Sequence, residues 1–227
     1  FNDEQVKPLQ NAEALNQTAF HGTSVKFDAF SLDHLRSGTG GMVLGWGLYF
    51  TSRKNVAAVY GSGANGRVIE VNLPSDLFIN TDKALDDQGG AQSLVDKMLS
   101  ALPEEIRARF DDSFVQTAWD FIYLLKNHYE SLKIDAITEG NLNFSLLGAA
   151  TAQEYASKFL NEYGFVGSTT QDMRVEGNTV FVLWDERVVS NLMVAEQNVA
   201  AEENYFQYAG VRATNAPMGT YDKATTM

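Results

Sequence analysis

Two short stretches bring together residue types from which a reactive site could be built. They are His21-Gly22-Thr23, and Gly45-Trp-Gly-Leu-Tyr-Phe-Thr51 with Val56-Ala-Ala-Val-Tyr60 behind it. Taken singly, each has an ordinary explanation: a histidine at a strand end is more often structural, and a tyrosine in an apolar run is more often core. Other constellations fall on chemical grounds. Gly61-Ser-Gly-Ala-Asn-Gly66 satisfies G-x-G-x-x-G. A dinucleotide-binding loop, however, must follow a strand and open a helix, so that the pyrophosphate meets the helix N-terminus. Here the order is reversed, and the segment reads as a connector. No G-x-S-x-G elbow presents a nucleophilic serine. The acid pairs Glu104-Glu105 and Asp111-Asp112 flank helical stretches and read as solvated helix starts.

The three histidines, His21, His34 and His128, share no short metal-ligand spacing. Cysteine is absent, which excludes disulfides, thiolate nucleophiles and cysteine-held metal centres. The expectation is a metal-free domain of a reducing compartment. The chain has 227 residues, 17 Lys and Arg against 29 Asp and Glu, and a net charge of −12. With a pI near 4.6, its overall field repels phosphate and disfavours duplex DNA or an anionic membrane as partner. Hydrophobic content of 44% and aromatic content of 11% exclude disorder as the dominant state. No apolar run approaches the roughly 20 residues needed to cross a bilayer. The opening Phe1-Asn-Asp-Glu-Gln is no signal peptide and reads as a cut inside a larger protein.

The elements that must position the two stretches follow from periodicity. Residues 1–17 form a polar entry arm, and 18–22 a short strand. A sparse, glycine-bearing segment follows at 27–43, then a strand at 47–51, with Ser52 as N-cap of a helix running to Tyr60. Residues 67–73 alternate as a strand that Pro74 ends. From about 91 to 132 the pattern is helical, with Trp119, Phe121 and Ile122 as core, and Pro103 must divide it. A helix over 152–163 ends at Gly164; strands are expected at 165–169, 179–184 and 187–194, and a polar tail from 195. Short strands dispersed among helices indicate an α+β fold.

Together, the histidine motif and the tyrosine strand resemble the ADP-ribosyltransferase fold of the diphtheria-toxin and poly(ADP-ribose) polymerase branch, the histidine–tyrosine–glutamate clan. That branch carries His-Gly-Ser/Thr on one strand and Gly-x-Gly-φ-Tyr-Phe on the next. A second tyrosine lies eleven residues past the first, the spacing of Tyr49 and Tyr60. The chain is more similar still to such domains embedded in phage and mobile-element polyvalent proteins. Phe27-Asp-Ala-Phe30, Glu70-Val-Asn-Leu-Pro74, Tyr155-Ala-Ser-Lys-Phe-Leu160, Gly164-Phe-Val-Gly167 and Phe181-Val-Leu-Trp-Asp185 occur in the family's order. The resemblance covers residues 18–194, with 91–132 as a helical insertion into a split-sheet core and 195–227 as a tail leading to a next segment.

The resemblance implies NAD as substrate. His21 would bond the adenosine-side ribose hydroxyls, with Thr23 adding a second polar contact, and the Gly22 backbone would pair with the carboxamide. Tyr49 and Tyr60 would sandwich the nicotinamide, and Leu48, Phe50 and Thr51 would line the same strand of the pocket. The serine that holds the carboxamide in the polymerases is Ala57 here. The clan's glutamate falls at Val180 or Thr179, neither acidic, so Glu176 or Asn178 is expected to take that role. The loop at 38–47 is expected to close over the cofactor. The implied activity is mono-ADP-ribosyl transfer to a macromolecular, protein acceptor by a monomeric domain of a polyprotein acting as an effector in bacterial host cytoplasm. NAD glycohydrolysis, or an inactive structural or delivery module, is the alternative.

Overall fold

The computed structural model describes residues 17–35, 42–63, 65–111, 113–139, 149, 151–192 and 195–197. One mixed sheet holds seven strands: β1 Gln17–Thr23, β2 Leu48–Thr51, β3 Arg67–Leu73, β4 Phe78–Asn80, β5 Gly167–Gln171, β6 Thr179–Leu183 and β7 Ala195–Gln197. Their order across the sheet is β4-β5-β6-β2-β1-β3-β7, antiparallel throughout except between β4 and β5. The α-helices are α1 Lys54–Tyr60, α2 Gln92–Ser100, α3 Glu104–Asp111, α4 Ala118–Thr138, α5 Ala152–Glu162 and α6 Glu186–Val189. This is the α+β architecture expected, with α2 to α5 entering between β4 and β5.

The sheet has a weak seam. β1 and β3 are laddered along their whole length, from Gln17↔Leu73 to Thr23↔Arg67. β2 and β6 are laddered from Leu48↔Leu183 to Thr51↔Val180. Between β1 and β2 the register is the single pair Phe20↔Thr51. Beyond it the strands diverge, and the sheet splits at its centre.

Strand alternation sends side chains to two layers. Phe50, Ile69, Val71, Phe181 and Leu183 face one core together with Val188 and Val189 of α6. Val182 faces the other, which the insertion fills with Val95, Met98, Ile106, Phe121, Leu125 and Leu160. The long helix α4 starts at a capping box, in which Thr117 and Asp120 satisfy each other's backbone N–H.

Several elements depart from expectation. Where a strand was expected over 187–194, α6 forms, because the Asp185 carboxylate accepts from Arg187 N and caps it. Two adjacent buried valines gave that stretch the look of a strand. Residues 195–197, expected as tail, pair with β3, so a domain boundary at 194 falls short of a strand that joins the sheet. Ser52 does not cap α1: the N-cap position is Arg53, with no side-chain bond, and the Ser52 hydroxyl turns to the start of β6. The helical block runs past 132 to Thr138; Trp119 is 38% exposed, under the ammonium of Lys126 rather than in the core. The three-residue β4 had no readable alternation. The entry arm up to residue 16, positions 38–41 of the glycine-bearing loop, and the tail beyond 197 lie outside the described residues. Among the described residues, no helix is long and apolar enough to cross a membrane.

Candidate active site

The expected site residues His21 and Tyr49 lie on the two strands that flank the split in the sheet. His21 turns its ring into the gap, and Nδ1 lies 2.8 Å from the Tyr49 carbonyl. A carbonyl only accepts, so Nδ1 carries the proton and Nε2 presents a bare lone pair. The ring is walled by Phe30 at 5.4 Å, Phe50 at 5.5 Å and Phe27 at 6.2 Å between centroids. Burial lowers the His21 pKa, the bond to Tyr49 opposes this, and the Arg67 charge lowers it further. The net shift is downward from 6.5, so the imidazole is neutral at neutral pH.

Tyr49 belongs to the other layer, its ring packed against the helical core. Its hydroxyl donates to the Gly45 carbonyl at 2.9 Å and accepts from Leu44 N at 3.0 Å. Burial dominates and pushes its pKa up to about 12, against the lowering effect of the Leu44 and Gly45 bonds; it is a neutral phenol. The Gly-x-Gly before it has a backbone cause. Gly45 and Gly47 sit at φ +145° and +154°, and a Cβ on Gly47 would come within 2.6 Å of the Leu183 carbonyl. Helix α5 holds the same loop, with the Ser157 hydroxyl donating to Trp46 O at 3.2 Å.

Pairing of Phe20 with Thr51 puts both on one face, and a period of two places Gly22 and Tyr49 there as well. Helix α1 covers this face. A Cβ on Gly22 would collide with the Ala57 carbonyl and come within 2.9 Å of Gly61 N. The glycine is therefore required by the closeness of helix to strand. Ala57, 1% exposed, is the helix residue at that contact. Gly22→Ala is expected to destabilise the fold by about 1–3 kcal/mol through overpacking against rigid backbone. An unchanged denaturant midpoint would mean that α1 does not sit on β1. Tyr60, at the helix end, is half exposed, and the Arg174 guanidinium meets its phenol.

At the third position the same face carries Val180, opposite Thr51. Just upstream, Asn178 is fully buried, and its amide is committed within the protein. Its Oδ1 accepts from the hydroxyls of Thr51 and Ser52, and its Nδ2 donates to Asp172 at 3.1 Å. Asn178 thus locks the turn at 172–178 onto the end of β2, and the expectation that it could bond a ribose is corrected by that engagement. Glu176 stands exposed on the same turn. Asp172 is raised by burial, then brought net below the usual carboxylate range by bonds from Arg174 and Asn178 and by the Arg174 charge.

The structure therefore places Gly22, Tyr49 and helix α1 with Tyr60 on one face of β1 and β2, with the 172–178 turn at the end of β2, and sets the His21 ring on the opposite face against Phe50, joined to β2 through the Tyr49 carbonyl. It gives Leu48, Phe50 and Thr51 packing or locking duties: Leu48 and Phe50 join the second core, and Thr51 bonds Asn178. Thr23 spends its hydroxyl on a local turn with Val25 N at 3.0 Å. Sequence reasoning gave no role to the rings of Phe27 and Phe30, although the Phe-Asp-x-Phe spacing signalled an aromatic pair. Arg67 carried no signal beyond being a charge on a strand. Among the described residues, no group of three or more His, Cys, Asp or Glu is placed to hold a metal ion.

Compared with known families, residues 15–225 match a family model described as ADP-Ribosyltransferase in polyvalent proteins. No curated protein and no solved structure matches the chain.

Proposed function

We propose, on the premise that this chain belongs to the family of ADP-ribosyltransferases in polyvalent proteins, that it is a mono-ADP-ribosyltransferase acting on a protein. Transferases of this kind take NAD as substrate. The bond between ribose C1′ and the nicotinamide nitrogen breaks, the cationic ring leaves as a neutral pyridine, and an acceptor nucleophile bonds C1′ and gives up its proton. Little acid catalysis is needed. The protein must hold the ring, orient the ribose and stabilise an oxocarbenium-like centre.

The observation that carries this reading is the neutral His21 in the split, with Nδ1 spent on Tyr49 and Nε2 left as an acceptor for a ribose hydroxyl. Tyr49 and Tyr60, offered by elements of one face, are the aromatic walls for the nicotinamide. Among the groups before β6, Glu176 is the carboxylate available to the ribose, and Val180 in the glutamate's position supports single transfer rather than chain elongation. In this reading the chain is a mobile-element effector, and the acceptor is a protein of the bacterial host cytoplasm.

The test is nicotinamide release from NAD by the purified chain, with and without cell lysate. Release that rises with lysate supports transfer; release indifferent to lysate makes the chain a glycohydrolase. Binding without release makes it an inactive module, and neither binding nor release sinks the reading. Two substitutions sharpen it. Tyr49→Phe keeps the ring and loses both loop bonds, and turnover is expected to fall about five-fold, the worth of roughly 1 kcal/mol of hydrogen bonding. Glu176→Gln is expected to lower turnover by at least about ten-fold at unchanged melting temperature, as for loss of one charge-stabilising group. Asn178→Ala is expected instead to lower the melting temperature, and a Glu176→Gln enzyme of full activity would refute the assignment to Glu176.

A further inference from the structure

Arg67 opens β3 directly opposite Thr23, the last residue of β1. It is 7% exposed, an uncommon state for a cation unless it is used. Its guanidinium donates to the Phe27 carbonyl at 2.7 Å and reaches the Val25 carbonyl at 3.5 Å. The same group lies over the Phe27 ring, 4.8 Å from its centroid. Phe27 meets Phe30 at 5.0 Å, and both rings present to His21, Phe30 nearly perpendicular to it at 83°.

These contacts form a chain. The segment between Thr23 and the 3-10 turn Leu32–His34 has no ladder of its own, so something must fold it back over the split. A planar, multi-donor cation that can bond carbonyls and stack on a ring at once is suited to that task, and an ammonium is not. We propose that Arg67 is a positioning residue for His21: by tying the loop carbonyls and stacking on Phe27 it holds the aromatic wall that fixes the imidazole in the split. It touches no reacting atom and acts through Phe27. The inference deepens the proposed function and rests on it for its catalytic consequence, but not for its structural one.

The surroundings of His21 leave Arg67 as the charged group that acts on it. Strand β2 contributes the Phe50 ring and the Tyr49 carbonyl, and the loop contributes Phe27 and Phe30, while Lys26 and Asp28 are exposed. Loss of the guanidinium removes a like charge and admits water to the ring edge. Both raise the pH at which the imidazole protonates.

The experiment compares wild type with Arg67→Met, which keeps an apolar stem, and Arg67→Lys, which keeps the charge and one donor. Three readouts are taken: the His21 imidazole titration by NMR, assigned with His21→Ala; the pH profile of NAD turnover; and KM apart from kcat. In Arg67→Met the titration and the acid limb of the profile move together to higher pH, and KM for NAD rises between about ten- and a hundred-fold, the scale for misplacing a positioned group. Arg67→Lys recovers part of both. An unmoved titration with unchanged KM in a folded Arg67→Met overturns the proposal. Should that variant not fold, Phe27→Leu leaves Arg67 in place and removes the relay; it must shift the same titration, and an unshifted one overturns the proposal. A wild type that neither binds nor cleaves NAD sinks the functional reading while the titration still decides the role of Arg67.

Discussion

Replacement of His21 by alanine is expected to cut nicotinamide release by about a hundred- to a thousand-fold, the scale for removing one preorganised polar group from a reacting centre. The substitution takes away the acceptor nitrogen, and it also leaves the Tyr49 carbonyl without the donor that sits 2.8 Å away. A melting curve separates the two consequences, since a purely structural loss would lower stability and activity in step. His21→Gln offers an amide to the Tyr49 carbonyl but cannot keep the acceptor in place, so it should recover stability and little turnover. The pH profile supplies a further check. Burial and the Arg67 charge outweigh the bond to Tyr49 and set the His21 pKa below 6.5, so wild-type activity stays level down to that pH and falls only below it. An enzyme whose activity fell on the alkaline side of 6.5 in step with the His21 titration would contradict the neutral imidazole assigned here. Full turnover by His21→Ala would remove the histidine from the mechanism.

The largest expected loss of stability comes from a residue outside the site. Asp185 is 1% exposed. Its carboxylate accepts from Arg187 N and Nε, the Arg187 terminal nitrogen and Asn161 Nδ2 at 2.9 Å. It thereby caps α6 and ties α5 to the end of β6. Asp185→Ala should cost about 3 kcal/mol, the lower end of the range for breaking a buried ion pair. The lower end applies because the Arg187 side chain is 59% exposed and can rehydrate. Burial pushes the Asp185 carboxyl up, and the bonds from Arg187 and Asn161 with the guanidinium charge outweigh it, leaving the net pKa below 3.8. The contribution is therefore complete above about 3.8 and is lost as pH falls through the lowered value. Chemical denaturation of wild type and Asp185→Asn at neutral pH and near pH 3 tests this: the gap between them should narrow in acid. A constant gap would mean that folding does not lower the Asp185 pKa.

The candidate site residues were legible in part because their sequence patterns are local. His21-Gly-Thr, Gly-x-Gly before Tyr49, and the eleven-residue step to Tyr60 are patterns of sequence, and they fall on β1, β2 and α1. Their causes were less legible. Gly22 was expected to let a carboxamide approach; what it meets in the fold is the Ala57 carbonyl of α1. Asn178 looked like an amide that could serve a ribose, and it proves to be engaged with Thr51, Ser52 and Asp172, residues up to 127 positions away.

Amino-acid order by itself determined strands close to those expected at 18–22, 67–73 and 179–184, the helices broken by Pro103 and closed before Gly164, and the order of the family's motifs. Each depends on neighbours within a few residues, where periodicity and backbone preference act directly. Tertiary structure alone decided the rest. Valines that alternate poorly became α6 once the Asp185 carboxylate capped its first turn, and 195–197 became a strand because β3 offered an open edge. His21 became a neutral imidazole through burial among Phe27, Phe30 and Phe50 and the charge of Arg67, 46 residues away in sequence, with Nδ1 held by the Tyr49 carbonyl. Burial and hydrogen-bond partners from distant segments set protonation and orientation, and no local pattern of residues encodes them.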